Sequence, residues 1–171
     1  ERFPDISVLY LDAHGDLRDE YMGTCWGHAS VARRVSEVAS LVQIGVRSVS
    51  KEEALFIKNG NVNTFFFNSN FTLREFSSQV LPLLNEHVYL SIDLDVLDPS
   101  IMAAVGTPEP GGMLWSQVCS IIETLSKARK IVAFDLTELS PRLGDEACAV
   151  TAAKLVHKII ASVAYRNSTG G

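Results

Sequence analysis

Long apolar runs are missing from this sequence: no uninterrupted stretch of about 18 apolar residues occurs, so no membrane span is predicted. Cysteine is scarce. Cys25, Cys119 and Cys148 are scattered and have no CxxC spacing, which excludes a disulfide framework and a thiolate zinc site and fits idle thiols in a reducing compartment. A basic excess is also missing: 15 Lys and Arg stand against 20 Asp and Glu, a net charge of −5, so a nucleic-acid-binding surface is not expected. The opening Glu1-Arg2-Phe3-Pro4-Asp5 has no apolar core of the signal-peptide kind, and a cytoplasmic location is expected. Repeats, low-complexity tracts and linkers are absent, so the 171 residues read as a single domain, long enough to bury a core without staples.

What is present is an alternation. Short apolar, β-branched runs at 6–11, 41–46, 62–67, 87–92 and 131–134 read as strands. They lack strict polar alternation, which suits strands covered on both faces, as in a parallel sheet. Helices are predicted near 27–39, 51–59, 72–85, 114–128 and 146–164. Ser50 before Glu53 and Thr72 before Glu75 have the spacing of capped helix starts. Val150, Ala153, Leu155, Val156, Ile159 and Ile160 form a helix-spaced apolar stripe read as core. The pattern predicts an α/β sandwich with a mostly parallel sheet. The chain opens almost directly on a strand, which reads as the C-terminal part of a longer domain.

Two charged motifs follow predicted strands: Asp12-Ala13-His14-Gly15-Asp16 and Asp93-Leu94-Asp95-Val96-Leu97-Asp98-Pro99. Ligands of open α/β sheets bind at the carboxyl ends of strands, where both motifs fall. Asp12, His14 and Asp16 have period-two spacing, so in an extended segment all three project to one side; Asp93 and Asp95 share that geometry. Four carboxylates and an imidazole gathered in an apolar interior need a compensating cation. Oxygen-rich, thiolate-free donors favour Mg²⁺ or Mn²⁺, and the imidazole tips the choice to Mn²⁺ over Zn²⁺, Co²⁺ or Ni²⁺. A pair of divalent ions with a bridging hydroxide would leave a slightly negative centre suited to a cationic substrate. Asp98, before Pro99, reads as a turn residue.

These blocks, with Gly106-Thr107-Pro108-Glu109-Pro110-Gly111-Gly112 and Phe134-Asp135-Leu136-Thr137-Glu138-Leu139-Ser140-Pro141, resemble the ureohydrolases of the arginase/agmatinase family, in the family's order and over nearly the whole chain. The resemblance implies a three-layer α/β/α sandwich. It implies a binuclear manganese centre that hydrolyses a guanidino compound to urea and an amine. By motif position it implies that Asp12, His14, Asp16, Asp93 and Asp95 are metal ligands, with Asp12 and Asp93 bridging and Asp16 also counted as catalytic. Glu138 would hold the substrate guanidinium, and His28 would move protons near the leaving amine. Taken alone, His28 reads as a cap of the helix that follows sooner than as a catalyst, and Glu138 is plausible as a surface carboxylate. A homo-oligomer, trimer or hexamer, is implied, with a small guanidino molecule as the partner.

Three departures stand out. A further ligand histidine, in a Gly-Gly-Asp-His block, does not occur in these residues. Ala103-Ala104-Val105 precedes Gly106 where the family has Pro-Gly-Thr, which predicts an altered pocket wall. Arg18 stands where arginases place an asparagine, and with Gln43-Ile44-Gly45-Val46-Arg47-Ser48 this resembles agmatinases. Agmatine is therefore the expected substrate, with Asp19 or Glu20 as candidates for its distal ammonium. Arginine, guanidinobutyrate and formiminoglutamate are the alternatives, as is a non-catalytic metal-binding subunit. A zinc deacetylase on a related fold is disfavoured by the Pro-Glu-Pro-Gly-Gly block.

Overall fold

A computed structural model describes residues 3–60 and 62–168 of the protein; Glu1-Arg2 of the charged opening lie outside them. The described strands are β1 (Ser7–Leu11), β2 (Ser40–Val46), β3 (Asn63–Phe66), β4 (His87–Asp93) and β5 (Lys130–Thr137). They form one sheet in the order β3-β2-β1-β4-β5, and every pairing is parallel. The helices are α1 (Val31–Ser36), α2 (Lys51–Lys58), α3 (Leu73–Glu75), α4 (Trp115–Ala128) and α5 (Glu146–Ser168).

Alternation along β1 builds both faces at once. Leu9 and Leu11 enter a larger core with Phe76, Val118, Ile121, Leu125, Leu155 and Ile159, roofed by α4 and α5. Val8 and Tyr10 enter a smaller one with Leu41 and Ala32, closed by Val35 of α1 and Phe56 and Ile57 of α2. Each fully buried Leu or Ile contributes roughly 1.5–3 kcal/mol relative to exposure. The result is the parallel-sheet α/β sandwich that the alternation predicts, in the three layers that the resemblance implies.

The differences from the sequence reading have local causes. The segment from 72 to 85 starts on the predicted Thr72–Glu75 capping box, but only Leu73–Glu75 is α-helical. It widens to a π-turn over Phe76–Val80 and tightens to a 3-10 turn over Leu81–Leu83. Pro82 has no N–H to continue the ladder, so a regular helix cannot run through it. The segment from 27 likewise begins as a 3-10 turn, His28–Ser30, before α1. The last strand runs on to Thr137, past the predicted end at 134, because β5 is an edge strand and carries exposed and half-buried polar residues. Helix α5 is long and apolar enough, by length and composition, to cross a membrane, which the count of unbroken apolar runs did not register. It is docked as a layer helix: Cys148, Ala152, Leu155 and Ile159 are buried, whereas Val150, Ala153 and Ile160 of the stripe read as core are exposed; Lys158 pairs with Glu123 of α4, and Arg166 donates to the Ser126 carbonyl.

The chain runs outward from β1 through β2 to β3, then returns to lay β4 on the other side of β1. The connections after β1 and β4 therefore leave in opposite directions and open a crevice at the carboxyl edge of the sheet.

Candidate metal centre and cleft

That crevice is a cleft of about 810 Å³. Asp12, His14, Asp16, His28, Asp93, Asp95 and Glu138 all line it.

Asp12 continues directly from β1, its N–H still donating to the Ile44 carbonyl. The extended path persists to Gly15, alongside Arg47 and Ser48. Asp12 and His14 thus project to the cleft as period-two spacing predicts. Asp16 does not continue the pattern: its backbone turns into the left-handed region, φ 53°, and its carboxylate accepts from the Tyr10 hydroxyl at 3.0 Å. Asp93 and Asp95 also converge by a different route from the extended one. Asp93 ends β4, and Leu94–Val96 is a 3-10 turn that Asp93 caps by accepting from the Asp95 N–H at 2.9 Å.

Asp95 then reaches across to the other motif. It accepts from the Ala13 N–H at 3.1 Å and lies 2.9 Å from His14 Nδ1; Asp12 lies 3.5 Å from the same nitrogen. One donor atom from each of Asp12, His14 and Asp95 falls within 4.8 Å of the others, a group able to hold a metal ion. Asp16 and Asp93 line the same cleft outside that tight group, and Thr137 donates to Asp93 at 3.1 Å.

The electrostatics fit a cation. Asp12, Asp93 and Asp95 are almost wholly buried. Burial, with the neighbouring carboxylates, pushes Asp12 up to about 6, Asp16 to about 8 and Asp93 to about 9. Hydrogen bonds to Asp12 and Asp95 push His14 up to about 11, so a protonated imidazole serves as the positive charge of the cluster. Asp95 is held low, its burial outweighed by His14 and the Ala13 N–H. Oxygen donors with one imidazole, crowded beyond what one His⁺ neutralises, are a donor set for divalent cations.

Glu138 lies just beyond β5 at φ 65°, again left-handed, and its side chain is exposed to the cleft. Gly106 is beside it, and a Cβ there would approach its Oε2 to 3.3 Å. Strained backbone at both Asp16 and Glu138 is of the kind that collects at functional sites. Ala104 and Val105, of the departing segment, are buried and do not line the cleft, so the altered pocket wall expected there is not formed by their side chains; the Ala104 carbonyl accepts from the Ser140 N–H. His28 is exposed at the cleft rim, edge-on to Tyr21 with ring centres 5.6 Å apart. Asp98 is a turn residue, accepting from Ser100, Gly111 and Gly112.

Asp19 and Glu20 are not in the cleft lining. Asp19 turns to Arg34 at 2.8 Å, so the proposed recognition of a distal ammonium by either residue is corrected. Several residues that matter to the site were not singled out from sequence. Glu53 is buried, accepts from the Leu17 and Ser50 N–H groups, and so fixes the loop carrying Asp16. Gln43 is buried and donates to the Gly15 carbonyl. Asp135 accepts from Tyr89 and Ser91 on the cleft floor. The Ser50–Glu53 cap was legible, but the contact to Leu17, 36 residues away, was not.

The profile of the Arginase family matches residues 1–162. The chain belongs to the arginase family. This arginase-family chain is 40% identical over 166 residues to an agmatinase from Pyrococcus horikoshii, covering 92% of this chain and 58% of that protein. It is 36% identical over 161 residues to an N(1)-aminopropylagmatine ureohydrolase from Thermus thermophilus, covering 94% and 55%. The solved agmatine ureohydrolase of Thermoplasma volcanium superposes with a TM-score of 0.83 at 31% identity, covering 98% of this chain and 58% of that one. The chain spans somewhat more than half the length of these relatives.

Proposed function

We propose that the protein is a manganese-dependent ureohydrolase that hydrolyses agmatine to urea and putrescine. The observation that carries the reading is the convergence of both acidic motifs, His28 and Glu138 on one cleft. The family membership and the agmatinase-type relatives support it. Asp12, His14, Asp16, Asp93 and Asp95 are the residues that would hold the metal. A divalent pair bound there supplies hydroxide at neutral pH, by lowering the pKa of a water.

The chain's own groups do the rest. Glu138 binds the planar guanidinium by paired, charge-assisted hydrogen bonds and presents its carbon to the acidic cluster. The guanidinium is a poor electrophile, so fixing its orientation matters. When the carbon–nitrogen bond breaks, the leaving nitrogen must take a proton, and His28 at the rim supplies it. The acidic lining attracts a cationic substrate and disfavours an anionic one. We place the enzyme in the cytoplasm as a homo-oligomer.

A second substrate reading rests on the open rim. Tyr21 and Trp26 border the cleft, and Trp26 is 81% exposed, so a longer amine such as N(1)-aminopropylagmatine has room to extend there. Urea release by the intact protein, with Mn²⁺ added or chelated, tests the proposal on agmatine, N(1)-aminopropylagmatine and arginine side by side. Mn²⁺-dependent urea from either agmatine compound is expected. Silence on all three would overturn the reading.

A further inference from the structure

His14 presents Nδ1 to Asp12 and Asp95, so on the metal-site reading above, on which this inference rests, Nδ1 is the ligand atom. A neutral imidazole that gives the Nδ1 lone pair to a cation must carry its proton on Nε2. That N–H needs an acceptor, or the ring is free to rotate and the ligand is poorly aimed.

The side of the ring carrying Nε2 faces Glu109, whose Oε1 lies 3.7 Å away. The pair is only partly shielded, His14 at 24% and Glu109 at 35% side-chain exposure. The contact is within ion-pair range, a side-chain adjustment short of a hydrogen bond. Glu109 is not there by chance of a loose loop. Arg47 donates to the Glu109 carbonyl at 2.6 Å and to the Pro110 carbonyl at 3.1 Å. The same guanidinium donates to the Asp95 carbonyl at 2.8 Å. One side chain therefore ties the loop carrying Glu109 to the turn carrying Asp95. Gly112 permits that packing: a Cβ there would fall 2.7 Å from the Arg47 guanidinium and 2.6 Å from the Asp98 backbone nitrogen.

We propose that Glu109 is a positioning residue, the outer carboxylate of a carboxylate–histidine–metal arrangement that sets the tautomer and orientation of His14, with Arg47 clamping it in register. Outer partners of this kind fix ring orientation and raise the basicity of the ligand nitrogen.

The test is metal binding by the intact protein, measured by titration calorimetry with Mn²⁺ and by visible absorption with Co²⁺. Glu109→Ala is expected to bind Mn²⁺ roughly 10–100-fold more weakly than wild type and to alter the Co²⁺ spectrum. Glu109→Gln keeps a neutral acceptor and is expected to lose less. Unfolding of the chelated protein is expected to be unchanged in both, which separates ligand aiming from general stability. Wild-type affinity and an unaltered Co²⁺ spectrum in Glu109→Ala would overturn the proposal. Should that variant fail to fold, wild-type affinity and an unaltered Co²⁺ spectrum in Glu109→Leu, which keeps the bulk without an acceptor, would overturn it equally. The readout is binding, so it decides the role of Glu109 even if wild type releases no urea, a result that would fail the hydrolase reading alone.

Discussion

Asp95 carries more of the geometry than its neighbours. It joins the two motifs by accepting from the Ala13 N–H and pairing with His14, and it is the carboxylate whose pKa is held low. Asp95→Asn keeps the volume but removes the charge that holds His14. It is expected to lower Mn²⁺ affinity at least tenfold, measurable by calorimetry, because it replaces an anionic oxygen donor of the proposed metal site with a neutral amide. On the proposed function, Glu138 holds the substrate rather than the metal. Glu138→Gln is expected to leave Mn²⁺ affinity unchanged and to reduce kcat/KM for urea release by about 10–100-fold, the loss of a charge-assisted bond of roughly 1.5–3 kcal/mol.

At the scale of elements, the site depends on how strand ends are joined. Gly45 of β2 sits at φ 100°, and a Cβ there would come within 2.8 Å of the Asp12 carbonyl and 2.5 Å of Val96 Cγ2. Both clashes fall on segments that carry proposed metal ligands. Gly45→Ala is expected to lower stability by about 1–3 kcal/mol in chemical denaturation, since the added methyl meets backbone in a conformation L-residues avoid. The cap of α2 has a second duty. Glu53 closes the helix at Ser50 and also satisfies the Leu17 N–H of the loop that carries Asp16. Glu53→Ala is expected to cost roughly 1–3 kcal/mol for the orphaned N–H alone, and to weaken Mn²⁺ binding through the displaced Asp16.

For the whole molecule, the acidic cluster couples folding to pH and to metal. The folded chain keeps protons on Asp16 and Asp93, up to about 8 and 9, that the unfolded chain gives up near the ordinary carboxyl value. His14, raised to about 11, acts in the same direction above neutrality. The folded state thus binds more protons, so stability present in acid is lost as pH rises through these values. Thermal unfolding of the chelated protein is expected to occur at a lower temperature at pH 9 than at pH 6. Mn²⁺ is expected to raise the unfolding temperature more at pH 9, because binding must displace fewer protons there. A chelated protein equally stable at both pH values would contradict the crowding of these carboxylates.

What the sequence determined by itself was the layer plan and the composition of the site. Apolar strand runs alternating with capped, amphipathic helices demanded a parallel sheet covered on both faces, and polar motifs at strand ends could not be buried without a partner charge. Both follow from period and hydration, which are local. Tertiary structure decided the rest. It turned Asp16 and Glu138 into left-handed backbone, curled Leu94–Val96 into a 3-10 turn that swings Asp95 toward Ala13, and paired Asp19 with Arg34 away from the cleft. It also recruited Glu53, Gln43 and Arg47 as supports. Those outcomes depend on contacts between residues far apart in the chain, and no local periodicity encodes which buried N–H or carbonyl a distant side chain will satisfy.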